Sequence, residues 1–326
     1  MQSILDPAIL FFVFGVLAGM VRSNLEIPPA ISRFLSLYLL MALGLKGGFA
    51  LAKSGLTPEV VSGLAAAMTL AVVIPLLSYT LLKRFLNGFD AAAIAATYGS
   101  VSAVTFVTAV QYLEHHNIAY GGHMAAAMAL MESPAIIMAV IFANALRQQQ
   151  VPGTHSATTP GSSVSLGKIL HESFTDGAQL LLLGAMVIGL LTGESGKTAM
   201  QPFSGDLFKG MLAFFLLDMG LMTARNLSQI KGQSPWLIGF AFGAPLVHAG
   251  MALALAWVLN LPLGDATLLM VLAASASYIA VPAVLRYAIP EAHPSLYFGL
   301  SLGVTFPLNI LFGIPLYAQM AQRWMG

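Results

Sequence analysis

The chain contains no cysteine among its 326 residues. That excludes a disulfide framework, a thiol nucleophile and any cysteine-ligated metal. Charge is almost as scarce. Asp, Glu, Lys and Arg make up 8% of the sequence, against about 25% in an ordinary soluble domain. The net charge of +1 offers no basic surface for nucleic acid. No Lys or Arg precedes Arg22, and Asp6 stands ahead of the first apolar run, unlike the basic start of a cleaved secretory signal. There is no Gly-Lys-Ser/Thr phosphate loop to suggest ATP hydrolysis. No base is paired with a nucleophile, which ranks an enzyme last among the functions considered.

What remains is overwhelmingly apolar: 58% of the residues, with a mean hydropathy of +0.83. A helix crosses a bilayer with roughly 17–25 apolar residues. On that measure ten spans are expected, at 6–22, 30–53, 57–82, 90–113, 119–146, 169–192, 203–225, 234–259, 265–286 and 295–320. The one long polar stretch, 148–167, reads as a linker between a first unit, 1–147, and a second, 168–326. Basic residues set the orientation. Arg22, Arg33, Lys83, Arg84, Arg147, Lys168, Arg225, Lys231 and Arg286 fall on one side; Lys53, Lys197, Lys209 and Arg323 fall on the other. The excess puts the linker in the cytoplasm and both termini outside. Trp236, Trp257 and Trp324 lie near span ends, as interfacial anchors do.

The sequence also repeats itself. Ser100-Val101-Ser102 matches Ser275-Ala276-Ser277 at an offset of 175 residues, as do Asp90 with Asp265 and Tyr112 with Tyr287. Gly44-Leu45 matches Gly220-Leu221 at 176, and Pro134 matches Pro307 at 173. Five spans per copy give the copies opposite senses through the bilayer. The expected fold is therefore an all-α membrane protein of two inverted five-helix repeats, a secondary-transporter architecture.

Spans four and nine carry the chemistry. Each opens on an Asp suited to capping, Asp90 or Asp265. Each is then interrupted by small hydroxylated residues, Gly99 to Thr105 and Ser275 to Pro282. Gly99 loosens the first break, and Pro282 disfavours helix before it in the second. Broken backbone at membrane depth is tolerable where it lines protein or a wet cavity. A half-helix N-terminus offers free N–H groups and about half a positive charge. Two such ends with serine hydroxyls, and no Lys or Arg in either break, suit a small monovalent anion. The plainer reading is close helix packing by small residues.

Three charges lie deep in apolar sequence, Lys46, Glu132 and Asp218, and each needs a partner or a polar cavity. Glu132, Ser133 and Thr305 form an oxygen set that suits a cation; alternatively Glu132 pairs with Lys46. For Asp218 a hydrogen bond between helices is expected. His115, His116 and His123 read as a solvated outer loop.

Several stretches together resemble the sodium-dependent bicarbonate transporters of cyanobacteria and their bacterial relatives. They are Ile27 to Ser32, Gly44 to Gly48, Met131 to Ala135, Ala241 to His248 and, most specifically, Ala273 to Pro290 with Pro282, Leu285-Arg286 and Ile289-Pro290. The resemblance spans nearly the whole chain. It implies a ten-span inverted repeat, a homotrimer, bicarbonate held between the breaks, sodium as coupling ion with no other cofactor, and a PII-like cytoplasmic regulator. On it, the substrate residues are Gly99, Ser100, Ser102, Ala103, Thr105, Ser275, Ser277 and Tyr278. Sodium falls to Ser102, Thr105, Glu132 and Ser277; the residues themselves make Glu132, Ser133, Thr305 and Lys46 the candidate coupling set. This chain departs from the pattern at three places. Tyr278 stands for an Asp suited to sodium, Ala103-Val104 loses a serine, and Lys46 stands for a Thr. Lys46 is accordingly expected to substitute for a bound sodium, weakening coupling or shifting it to protons. The rival readings are a transporter of another small anion and an anion-binding docking platform for the regulator.

Overall fold

The computed structural model describes residues 6–55, 57–149, 177–227 and 233–325. The 148–167 linker, apart from its first two residues, and the expected start of span six lie outside them. Among the described residues the fold is helical throughout, without strands. Seven helical stretches there are long and apolar enough to cross a membrane, and Pro7–Met20 and Leu263–Ala274 are shorter apolar helices.

The helices are α1 (Pro7–Met20), α2 (Pro29–Ser54), α3 (Pro58–Leu82), α4 (Gly88–Gly99), α5 (Ala103–His115) and α6 (His123–Gln149). After the linker come α7 (Gly177–Met200), α8 (Phe208–Asn226), α9 (Pro235–Val258), α10 (Leu263–Ala274), α11 (Ala280–Ala288) and α12 (Pro294–Met325). Five of them begin on a proline. At that position its missing N–H costs nothing and its fixed φ already suits the helix. At α1 Asp6 adds a side-chain cap, accepting from Ala8 N at 2.9 Å. Inside α7 the chain turns at Gly193, whose φ of +54° only glycine adopts cheaply. That ends the sixth apolar run at its expected place. Phe11, Phe14, Leu17, Leu77, Ile188, Leu191 and Val247 are exposed. Exposed apolar surface of this extent suits helices that face lipid.

The helices pack as two sets. In one, α1 lies on α8 and α2 on α7; in the other, α3, α4 and α6 pack together, and α10 packs between α9 and α12. Glycine seams close the first set. A Cβ on Gly15 would meet Leu217 O at 2.3 Å and Gly220 Cα at 3.1 Å. A Cβ on Gly189 would meet Leu45 O at 2.6 Å and Gly48 Cα at 3.1 Å. The repeat offset carries one seam onto the other, Gly15 to Gly189 (174 residues) and Gly48 to Gly220 (172 residues). The sequence match of Gly44 with Gly220 thus sits one helical turn out of register. Glycine runs in α2 at both positions, so composition alone could not choose. Gly48→Ala or Gly220→Ala should overpack a seam and cost about 1–3 kcal/mol. Gly239→Ala, with open space around the new methyl, should cost nothing. Thermal unfolding of the detergent-purified variants reads the difference.

Asp90 and Asp265 are not the helix caps the sequence suggested. Asn87 caps α4, accepting from Asp90 N at 2.9 Å, while Pro262 occupies the cap position of α10. Both carboxylates, third in their helices, instead reach into the other half of the chain. Asp90 accepts from His293 N at 2.7 Å, and Asp265 from Gly121 N at 2.5 Å. Those loop positions are themselves 172 residues apart. Asn87, a capping residue three places ahead of Asp90, was overlooked in the sequence.

Candidate functional site

The two interruptions meet. α4 stops at Gly99, where a side chain would run into Pro75 of α3, its Cβ 2.5 Å from Pro75 Cβ. Ser100 and Ser102 then take extended backbone, and α5 restarts at Ala103. α10 stops at Ala274, Ser275 is extended, and α11 restarts at Ala280. Pro282 falls in the first turn of α11, where it ends no hydrogen-bond ladder. The broken strands of chain cross and bond directly. Ser277 N donates to Thr97 O at 2.8 Å, and Ser102 N donates to Ser275 Oγ at 2.9 Å. Asn309 of α12 supports the crossing, its Nδ2 donating to Ala274 O at 2.8 Å.

A serine oxygen accepts a backbone N–H at each restart, Ser102 as the N-cap of α5 and Ser277 from two residues ahead of Ile279, the cap position of α11. Ser102 Oγ accepts from Thr105 N at 3.2 Å and from Thr105 Oγ1 at 3.0 Å; Ser277 Oγ accepts from Val281 N at 3.2 Å. The first N–H groups of each half-helix, at Ala103, Val104 and Ala280, have no intrahelical partner. These three residues line a cavity of about 250 Å³ together with Ser102, Ser277 and Tyr278. A water occupies roughly 30 Å³ of liquid, so the space admits a small anion with part of its hydration. Ser36 of α2, Gln179 of α7 and Glu132 of α6 complete its polar wall. Glu132 is the one charged side chain among the lining residues, and no Lys, Arg or His joins it. Gln179 Nε2 donates to Glu132 Oε2 at 2.7 Å.

Of the sequence-predicted residues, Ser102, Ala103, Ser277, Tyr278 and Glu132 come together on the cavity wall. Gly99, Ser100, Thr105 and Ser275 stand behind it. Ser100 Oγ donates to Glu132 O at 3.3 Å, and Ser275 and Thr105 hold the crossing as described. Ser133 is buried off the lining. Thr305 lies elsewhere, bonded to Tyr98 OH at 2.7 Å and Ala241 O at 2.9 Å. Tyr278 lines the cavity, and its ring packs 5.0 Å from Phe306. Its hydroxyl, near Ser102, makes no hydrogen bond of normal geometry.

Lys46 is not at the site. It pairs with Glu114 at 2.9 Å and lies 4.1 Å over the Phe208 ring. Neither the expected substitution for sodium nor the pairing with Glu132 is what the geometry presents. Glu114 ends α5 at a span boundary, so a search restricted to deep charges passed over it. Asp218 does make an inter-helix bond, accepting from Ser32 Oγ. His123 is buried beside Asp265, 3.7 Å away, not solvated. No metal-holding cluster of His, Asp and Glu occurs among the described residues. Gln179 and Asn309 were missed in the sequence; both are uncharged polar residues in apolar runs, and a scan for amides would have found them.

Two half-helix starts bordering a partly open cavity inside an apolar helical bundle are the layout of a multi-pass membrane transport protein. Residues 7–322 match the family model of the Na+-dependent bicarbonate transporter superfamily, and the chain belongs to that family. No curated protein matches it.

Proposed function

We propose that the chain takes up bicarbonate with sodium by alternating access across the bacterial inner membrane. The observation that carries this reading is the cavity at the crossed breaks, with two helix N-termini, three serines and one carboxylate on its wall. An anion there gains from helix dipoles and N–H donors. It also faces Glu132. Like charges brought into one cavity repel more strongly than they do in water. A co-bound sodium or proton removes that penalty, which supports cation coupling through Glu132. Sodium fits best at oxygens of Glu132, Ser102 and Ser277, with Thr105 behind.

The ten-span inverted repeat belongs to the same proposal. Counting α1, the two arms of α7–α8 and the broken pair α10–α11 each as a crossing brings the seven long stretches to ten. The exchanged glycine seams and the reciprocal Asp90–His293 and Asp265–Gly121 bonds support it. With both termini outside, the cavity lies toward the cytoplasm, because α2 and α7 start on that side and α6 and α11 end there. The homotrimer and the PII-like regulator are carried by the family resemblance.

Competition tests the substrate. In proteoliposomes, uptake of labelled bicarbonate should be inhibited by unlabelled bicarbonate and unaffected by formate or acetate at equal concentration. Stronger inhibition by a short carboxylate would reassign the site to that anion.

A further inference from the structure

The inner cavity has a counterpart that is nearly shut. A hollow of about 20 Å³ lies between α1, α5 and α8, with Asp6, Ala8, Thr108, Gln111, His115 and Leu212 on its wall. Four of its places are the repeat images of places in the inner cavity. Asp6 corresponds to Gln179, Ala8 to Leu182, Leu212 to Leu40 and Thr108 to Ala283, at offsets of 173, 174, 172 and 175 residues. These are the offsets that relate the serine breaks and the glycine seams. The same surfaces that part around the large cavity therefore close around the small one.

The side chains here are wrong for a permanently closed contact. Thr105, Thr108, Tyr112 and His115 recur at i, i+3, i+7 and i+10, on one face of α5. Thr108 is 4% exposed and Gln111 beside it 5%. The Gln111 Oε1 has no hydrogen-bond partner. A buried amide oxygen left unpaired is costly, and the hollow has room for about one water. An apolar residue would serve better if this place never opened.

We infer that this hollow is the shut outer mouth of the transport path, and that Thr108 and Gln111 line it and contact the hydrated oxyanion once α1 and α8 part from α5. The inference rests on the transport reading above. It assigns to α5 a second stretch of substrate contacts, beyond the break at its start.

The absence of native cysteine makes the test direct. Thr108→Cys, Gln111→Cys and Ala283→Cys each introduce a single thiol. A membrane-impermeant, positively charged methanethiosulfonate is applied from either side of the membrane, with and without bicarbonate and sodium. The Thr108 and Gln111 positions should react from the face opposite to Ala283. Conditions that raise labelling at these two should lower it at Ala283, and labelling should abolish uptake. The inference is overturned if both thiols stay inert from that face while Ala283→Cys is labelled in a protein that still transports. Labelling that leaves uptake intact overturns it equally. Failure of the unmodified protein to transport bicarbonate would instead strike the transport reading, and opposed labelling would still stand. Gln111→Cys serves if Thr108→Cys, which loses a bond to Val104 O, does not fold.

Discussion

Replacing Ser277 with Phe should abolish bicarbonate uptake, by at least about 100-fold, in protein that still folds. Ser277 is 2% exposed overall and lies on the cavity wall at the crossing. A phenyl group there fills space that an anion must occupy and removes the bond from Val281 N. The loss of such a bond costs about 1 kcal/mol, which a bundle of this size should tolerate. Ser277→Ala separates the two effects. It leaves the cavity open and removes one hydroxyl. A hydrogen bond to a charged group contributes about 1.5–3 kcal/mol, so the KM should rise roughly 10- to 150-fold with the maximal rate largely kept. Uptake kinetics of both variants, beside their thermal midpoints, test this. Unchanged transport by the phenylalanine variant would remove the substrate from the crossing.

Glu132→Gln should uncouple the protein. The amide keeps a hydrogen-bond partner for Gln179 and removes the single charge on the cavity wall. Without that charge the anion no longer needs a cation beside it. Sodium-driven accumulation should fall at least about tenfold, because the like-charge repulsion that the cation offsets is gone. Exchange of labelled for unlabelled bicarbonate across the membrane should persist. Comparing net uptake under a sodium gradient with exchange at equilibrium reads the two separately. Full sodium stimulation in this variant would move coupling away from Glu132. Lys46→Met, by contrast, should affect stability more than coupling, because it strands Glu114 beside Tyr120, whose hydroxyl bonds it at 3.0 Å.

Much of this was legible in the sequence, for identifiable reasons. Apolar length announces membrane helices, and the hydroxylated interruptions announced both breaks within a residue or two. Ser102 and Ser277 were readable as hydroxyls in small-residue interruptions that recur at the repeat offset. Partners across the fold were not. Lys46 and Glu114 are 68 residues apart, and Asp90 meets a backbone N–H some 203 residues away. Nothing local encodes either. Thr305 shows the same limit. It aligns with Glu132 at an offset of 173 residues, yet it bonds Tyr98 and Ala241 outside the cavity, because α12 passes through π-helical turns at Ser301–Thr305 and Asn309–Gly313 where α6 runs on unbroken. Pro134 and Pro307 match in sequence and both lie in α-helical turns, but only Pro307 is flanked by π-helical segments. A repeat in sequence fixes which residues correspond, not which state each half adopts.

The most direct measurement is uptake of labelled bicarbonate by the purified protein in proteoliposomes, with and without an inward sodium gradient. The account predicts uptake that accumulates against its gradient only when sodium is supplied. Uptake of equal rate and extent without sodium would contradict the coupling assigned to Glu132, and no uptake by folded protein would contradict transport of bicarbonate itself.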